Sequence, residues 1–520
     1  MTAPDPSAHL HALLADEGIE SGYPDAVHAE VAAWIENPQI DASDLDDRTD
    51  VPFVTVDGPG TRDLDQALFV ERRGSGYGVQ YAIADASFFA PAHSALFEES
   101  LRRGASYYLP GSAVPMLPRA LSEDLVSLGE GVDRRAMVFD MTLDAQGVCT
   151  KTDIVRSRIR SRHQLTFAHV DAVVRGKGRG RGEHPVTDPA IEQSLHAMRA
   201  VGALRAADAA ARGVVPYHRK EVRVKLGQGQ DAGLTAVEVV RNGVEADNAQ
   251  LSLLCNAQGA EVLRSMPGDH GQPIYKVHPS PDEDALASLQ ETIDAVVHAY
   301  DLDDTWRWDR RTQPLADYVR SLPDQPEHAR LVLALMRQTI MVNVRSSFAK
   351  APGRHHGVGA DVYGRFSAPM REVVGVFLHK EMFEALAQRG QPPKQDELLR
   401  QHVIEAANKA KQLQSMVSRA ADKLVIDDLF AADLATAAKA RRTHGGTVMG
   451  MRKGRIYVRL DSPPLDVKIY ADRLDERLEE DAAGASIHSA GRRVARLGDP
   501  VGVQVRHRTD DGRWVLGFAD

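Results

Sequence analysis

Asp57, Asp63 and Asp65 fall together in one short stretch, TVDGPGTRDLDQA from Thr55 to Ala67. Carboxylates gathered this way repel: a pair about 4 Å apart costs about 4 kcal/mol at an effective dielectric near 20, so a convergent trio calls for a cation or for protons. Magnesium suits them, because it takes oxygen ligands, keeps several waters and commonly shares its shell between one or two carboxylates and a substrate phosphate. Phosphodiester hydrolysis is the matching reaction, with one ion lowering the pKa of an attacking water and another stabilising the departing oxygen, the two about 4 Å apart. A surface turn whose aspartates accept from nearby backbone N–H groups has the same composition. Spacing alone leaves both readings open.

A loop of this kind needs supports. VPFVTVDG before it has strand character, and ALFVERRGSGYGVQYAIADAS after it reads as two strands joined through Gly-Ser-Gly. Gly58, Pro59 and Gly60 let the chain fold back between the aspartates. Upstream, HLHALLADEG reads as a helix stopped at Gly18, and PDAVHAEVAAWIENP as another bounded by Pro24 and Pro38. Downstream, a helix is expected over Pro91–Ala105, followed by YYLPGSAVPMLPRALSEDLVSL, whose prolines forbid one regular element. Apolar periodicity predicts helices over Ala190–Arg212, Asn248–Arg264, Pro281–Tyr300, His328–Phe348, Arg371–Ala387 and Glu397–Ala440. After Arg441 the texture becomes β-rich, in GGTVMGMRKGRIYVRL, LDVKIYA and RLGDPVGVQVRHRTDDGRWVLGFA. About five strands fit there, the number in an OB-type barrel.

A chain of 520 residues with 43% hydrophobic and 26% charged residues is expected to be globular and to divide into more than one domain. The net charge of −10 argues against a protein that coats nucleic acid over its whole surface. Positive charge is nevertheless local, in RSRIRSRH (Arg156–His163), RGKGRGRG (Arg175–Gly182), HRKEVRVK (His218–Lys225) and Arg441 with Arg442. Taken singly, each run reads as a solvated face or loop. Cys149 and Cys255 are too few for a disulfide framework and lack zinc-site spacing. The N-terminus lacks a basic start followed by an apolar core, and no stretch is apolar long enough to span a bilayer, so a cytoplasmic protein is expected.

The aspartate stretch resembles the signature of the ribonuclease II and ribonuclease R family, whose catalytic domain, called RNB, opens on a TID motif followed by four clustered aspartates. Three of the four fall on Asp57, Asp63 and Asp65, and the fourth position holds Gln66. Matches continue in order through YAIADAS (Tyr81–Ser87), YYLPG (Tyr107–Gly111), VPMLPRALSEDLVSL (Val114–Leu128), IYKVHPSP around His278 and YGRFSAPMR (Tyr363–Arg371). The C-terminal β segment is similar to the S1 RNA-binding domain that follows RNB in this family.

The resemblance implies an α+β fold with an N-terminal helical segment over residues 1–44, an RNB domain over 45–440 and an S1-like OB barrel over 441–520. It implies processive 3′-to-5′ hydrolysis of single-stranded RNA to nucleoside 5′-monophosphates with Mg²⁺, Mn²⁺ able to substitute. Asp57, Asp63 and Asp65 would hold the metals, with Asp65 the residue whose loss stops chemistry. Gln66 would lend a neutral amide oxygen, and on this reading Gln66→Asp leaves activity equal or raised. Arg371 would grip the phosphate near the scissile bond with its planar fork of donors. Tyr108 would stack on bases near the 3′ end and set the length of the final product, Phe167 falls where the family often has a second aromatic, and Asp422 sits near its late-helix glutamate. Familiar members carry two cold-shock barrels before RNB, whereas here the helical segment stands in that place, so RNA grip is expected from the channel and the C-terminal barrel. A monomer is expected, and a site reading the 2′-hydroxyl would reject DNA. The rivals are an RNA-binding protein of this fold without chemistry, Gln66 marking its decay, and a DNA exonuclease.

Overall fold

The computed structural model describes residues 6–176, 186–215, 221–227, 233–240, 242–266, 271–387, 394–474, 477–481 and 483–519. Its first strands are β1 (Asp46–Asp57), β2 (Gln66–Arg73), β3 (Gly76–Ala84), β4 (Tyr107–Leu109), β5 (Ser112–Val114), β6 (Asp133–Leu143) and β7 (Cys149–Thr166). β1, β2, β3, β6 and β7 close into a barrel in that order, antiparallel at every step except the last, where β7 runs parallel to β1. β3 is buried along its whole length, as a near-continuous apolar run requires when both faces of a strand are covered. Helix Pro189–Ala211 lies against β2, and helices Gly243–Ser265 and Val373–Leu386 contribute to the same apolar core.

The run RSRIRSRH is part of β7 rather than a solvated loop. Ser157, Ile159 and Ser161 point inward, and the intervening arginines meet carboxylates: Arg158 bonds Asp47 at 2.6 Å and Arg160 bonds Asp133 at 2.6 Å. The period of two in that run is the strand's own. Of the Gly/Arg stretch, residues 177–182 lie outside the described residues.

Two expected helices are shorter than their periodicity. The first covers Ala95–Arg103: the Ser94 side chain caps it by accepting from the Phe97 N–H at 3.0 Å, and Gly104 ends it at φ 71°. Gly104 has a second reason to be glycine, since a β-carbon there would stand 2.7 Å from the Ala406 carbonyl oxygen. The second, expected to reach Phe348, ends at Met341, and Ser347–Ala349 instead pairs with Tyr275–Val277. The Asn408 side chain takes the Phe348 N–H and donates to its carbonyl, both at 2.9 Å, which holds that backbone extended.

The helix Lys394–Leu434 has 41 residues, about 60 Å of rise. Leu413, Val417 and Ala421 on it share a cluster with Leu10, Leu14 and Ile19 of the N-terminal segment and with Tyr107, Leu109 and Val114 of the β4–β5 hairpin. Its C-terminal end contributes Phe430 to the core of a five-stranded antiparallel sheet, ordered Asp466–Tyr470, Arg455–Leu460, His444–Arg452, Pro500–Arg508, Trp514–Phe518. Among the described residues eight strands rather than five follow Arg441: Glu479–Glu480, Ser486–Ser489 and Arg492–Arg496 form a separate three-stranded sheet, and the five-stranded one is in an open order rather than closed like the first barrel. This sheet is not packed alone: Met449, Ala485 and Leu497 share a core with Ile293, Trp306 and Leu335. Among the described residues no helix is long and apolar enough to cross a membrane, and both cysteines are free thiols.

Candidate active site

The aspartate loop is fastened along its length. Asp57 ends β1 opposite Thr166, and its Oδ1 accepts from the Gly58 N–H at 2.6 Å and the Thr61 hydroxyl at 3.3 Å, closing a local turn. The Thr61 carbonyl takes the Gln164 side-chain amide at 2.8 Å. Ser127, from the LSEDLVSL motif, donates to the Arg62 carbonyl at 2.6 Å and accepts from the Leu64 N–H at 3.0 Å, and Leu128 N–H donates to the Leu64 carbonyl at 3.0 Å. The Asp65 carbonyl then takes the Ala84 N–H at 2.8 Å, where β2 and β3 begin their ladder.

Asp65 is 2% exposed. Its Oδ1 accepts from the Met370 N–H at 3.0 Å and its Oδ2 from Arg371 Nε at 2.5 Å. Burial pushes the Asp65 carboxyl up to about 6, against the pull of Arg371 and the Met370 N–H, while the carboxylate holds the Arg371 guanidinium above its ordinary range. The pair is bonded through Nε, so Nη1 and Nη2 of Arg371 stay outside it. The Arg371 carbonyl accepts from the Ser106 N–H at 2.9 Å, which joins this loop to the base of the β4–β5 hairpin.

On that hairpin Tyr108 is 57% exposed, yet its hydroxyl donates to Asp63 Oδ2 at 3.0 Å. Burial of the hydroxyl end raises its pKa, with Asp63 and Asp65 adding and Arg371 opposing. The ring stands between two cavities and lines both. One, of about 460 Å³, is walled by the loop from Pro59 to Asp63 with Arg119 and Glu123. The other, of about 560 Å³, is walled by Arg371, Arg223, Lys225, Gln414 and Asp422. Burial and Asp466 raise the Asp422 carboxyl, with Arg459 opposing.

Asp63, Asp65, Tyr108 and Arg371 therefore meet, with Asp57 at the loop's root. Asp422, Arg223 and Lys225 join them on the far side of Tyr108. The two cations belong to the run HRKEVRVK, which by itself reads as a solvated face or loop. Gln66 stands differently from the expectation that its amide oxygen serves a metal: Oε1 accepts from the Tyr81 hydroxyl and Nε2 donates to the Ser367 carbonyl. Phe167 opens the helix Phe167–Val174 and packs against the main core, and it is not among the residues lining either cavity beside Tyr108.

The donor set fits a hard divalent cation, since every candidate atom is oxygen and Asp57 Oδ2 and Asp63 Oδ1 lie outside the bonds named above. The three carboxylates do not all bring oxygens within 4.8 Å of one another; among the described residues the group that does is Glu381, Glu384 and Asp396. Lys380 Nζ bonds all three of those, at 2.9, 2.8 and 3.0 Å, so an ammonium already stands where a cation would and offsets part of their charge. At the aspartate loop, an ion that keeps most of its waters needs direct bonds to only one or two carboxylates.

Residues 45–388 match the RNB domain. Ribonuclease R of Escherichia coli is 26% identical over 504 residues, a span covering 95% of this chain and 60% of that protein. The chain thus spans about 60% of the length of that relative. Among solved structures, Mycoplasma genitalium RNase R in complex with ribose methylated single-stranded RNA matches with a TM-score of 0.85 and 21% identity, covering 99% of this chain and 78% of that one. Yeast Ssd1, described as a pseudonuclease, matches with a TM-score of 0.66 and 14% identity over 97% of this chain and 59% of its own. Because the domain match takes in more than half of the chain, and with it the aspartate loop, the Tyr108 hairpin and Arg371, this protein belongs to the RNB family.

Proposed function

We propose that this chain is an exoribonuclease that degrades single-stranded RNA processively from its 3′ end to nucleoside 5′-monophosphates, with Mg²⁺ as the cofactor and Mn²⁺ able to replace it. One observation carries the reading: the acidic loop is bonded to one cavity twice, by Tyr108 to Asp63 and by Arg371 to Asp65, and both partners line that cavity. Family membership and the RNA-bound relative of the same fold support it.

Each side chain has a task its chemistry suits. Nη1 and Nη2 of Arg371 offer a planar fork to phosphate oxygens, with Nε fixed on Asp65 so that the fork does not wander. The exposed Tyr108 ring offers a stacking face, contributing about 1–3 kcal/mol per base without sequence preference. Arg223 and Lys225 supply the strand with counter-charge, gained through counterion release. Asp57, Asp63 and Asp65 would hold the metal, which supplies charge neutralisation at the phosphate. The chain is read as three parts, residues 1–44, 45–440 and 441–520, with the C-terminal five-stranded sheet an S1-like RNA-binding module, and as a monomer.

A second reading is binding without hydrolysis, favoured by Gln66 at a position where the family carries an aspartate and by the likeness to a pseudonuclease. The deciding experiment incubates the chain with labelled single-stranded poly(A), with DNA of equal sequence, and with Mg²⁺, Mn²⁺ or chelator. Mononucleotide release from RNA alone, lost on chelation, is the expected result. RNA bound but never shortened at any metal concentration leaves only the second reading.

A further inference from the structure

Gln66 is engaged at both ends of its amide. Its Oε1 accepts from the Tyr81 hydroxyl and its Nε2 donates to the Ser367 carbonyl. A carbonyl can only accept, so the amide nitrogen must face Ser367 and the oxygen must face Tyr81. Glutamine is the side chain that fits, because it donates and accepts at once. A glutamate would set a carboxylate against the Ser367 carbonyl, acceptor against acceptor, and an aspartate, one methylene shorter, would offer it no donor, so either leaves that buried carbonyl unpaired.

The residue at the other end is held just as fully. Ser367 Oγ takes the Asn256 side-chain amide at 2.8 Å and the Ser252 hydroxyl at 3.0 Å. Asn256 Oδ1 in turn accepts from the Phe366 N–H at 2.7 Å and the Ser367 N–H at 3.1 Å. Only three and four residues further on, Met370 N–H and Arg371 Nε reach the two oxygens of Asp65. Two adjacent residues, Asp65 at the end of the aspartate loop and Gln66 at the start of β2, therefore grip one loop at both ends, Gln66 at Ser367 and Asp65 at Met370 and Arg371.

We infer that Gln66 is a positioning residue that sets the loop from Phe366 to Arg371, and so places the Arg371 fork, rather than a ligand of the metal. The inference rests on the nuclease reading above and deepens it. It also reverses what replacement by the family's aspartate should do: Gln66→Asp removes the donor to Ser367, draws the side chain back by one methylene and brings a loss of activity.

The test uses the full chain with Gln66→Met, which keeps length without the amide, Tyr81→Phe, the double variant, and Gln66→Asp. Three readouts are taken: amide exchange of residues 366–371, Mn²⁺ affinity by electron paramagnetic resonance without RNA, and kcat with KM on an adenosine oligonucleotide. The expected result is exchange about tenfold faster in either single variant, kcat down about tenfold, KM changed less than threefold, and the double variant no worse than either. Mn²⁺ affinity should stay within twofold of the parent, and Gln66→Asp should fall with the others. A tenfold loss of Mn²⁺ affinity in Gln66→Met with exchange unchanged, or activity raised by Gln66→Asp, overturns the inference. Should Gln66→Met fail to fold, Tyr81→Phe decides by the same exchange measurement. A parent chain that cleaves no RNA defeats the nuclease reading, while the exchange and Mn²⁺ arms still decide the role of Gln66.

Discussion

The Tyr108 hydroxyl donates to Asp63 Oδ2 at 3.0 Å, which ties the ring dividing the two cavities to the acidic loop. A stacking platform held in this way would stop the last bases at a fixed distance from the carboxylates. Tyr108→Ala should lengthen the limit product by several nucleotides and weaken binding of short RNA about tenfold, within the range of a lost base stack. Tyr108→Phe keeps the ring and should keep the product length. Denaturing gels of exhaustive digests read both, and an unchanged ladder in the alanine variant removes the role.

Asp65→Asn tests the paired carboxylate. The amide still accepts from the Met370 N–H, but the guanidinium loses its counter-charge. Because the arginine side chain is 35% exposed, solvent screens much of that loss, and burial already disfavours the charged carboxylate, so stability should change little. Hydrolysis should drop about a thousandfold, the scale set by removing one charged contact from a transition state. RNA affinity, spread along the strand, should change less than threefold by fluorescence anisotropy. Turnover comparable to the parent would contradict the assignment of Asp65.

Acidification should act through the same group. The Asp65 carboxyl is pushed up to about 6 from 3.8, so the folded protein holds that proton more tightly than the unfolded chain does. The sign is the reverse of the usual salt-bridged aspartate: its contribution to folding improves as pH falls from about 6 toward 4, while its ability to bind metal declines. At subsaturating Mn²⁺, affinity should be level above pH 6 and weaken about tenfold per unit below it. Calorimetric titrations from pH 5 to 8 measure this. Affinity that stays level down to pH 5 would place Asp65 outside the metal's reach.

What could be read from the sequence was local. The aspartate loop, the YYLPG hairpin and YGRFSAPMR each keep their candidate residue within a few positions of a turn, and Asp63, Asp65, Tyr108 and Arg371 do meet. What could not be read was pairing across distance. β7 closes the barrel against β1 about a hundred residues away, disguised by arginines whose partners are aspartates on other elements. Gln66 reads as a substituted ligand until its partner Ser367, 301 positions away, is in view. Phe167 shows the limit of a positional match, which says where a residue falls in a motif and nothing about which way its ring packs.

Ser127 supplies the last test, because it supports the carboxylates without touching them. Its hydroxyl donates to the Arg62 carbonyl and accepts from the Leu64 N–H, fixing the backbone on both sides of Asp63. Ser127→Ala leaves a buried N–H without its acceptor, a cost of about 1–3 kcal/mol in stability. If the hydroxyl also holds Asp63 and Asp65 in register, Mn²⁺ affinity and kcat should each fall about tenfold, and Ser127→Thr, which keeps a hydroxyl, should recover most of both. A lower melting temperature with metal affinity and kcat intact would show that Ser127 serves the fold alone, and that the loop finds its geometry without that anchor.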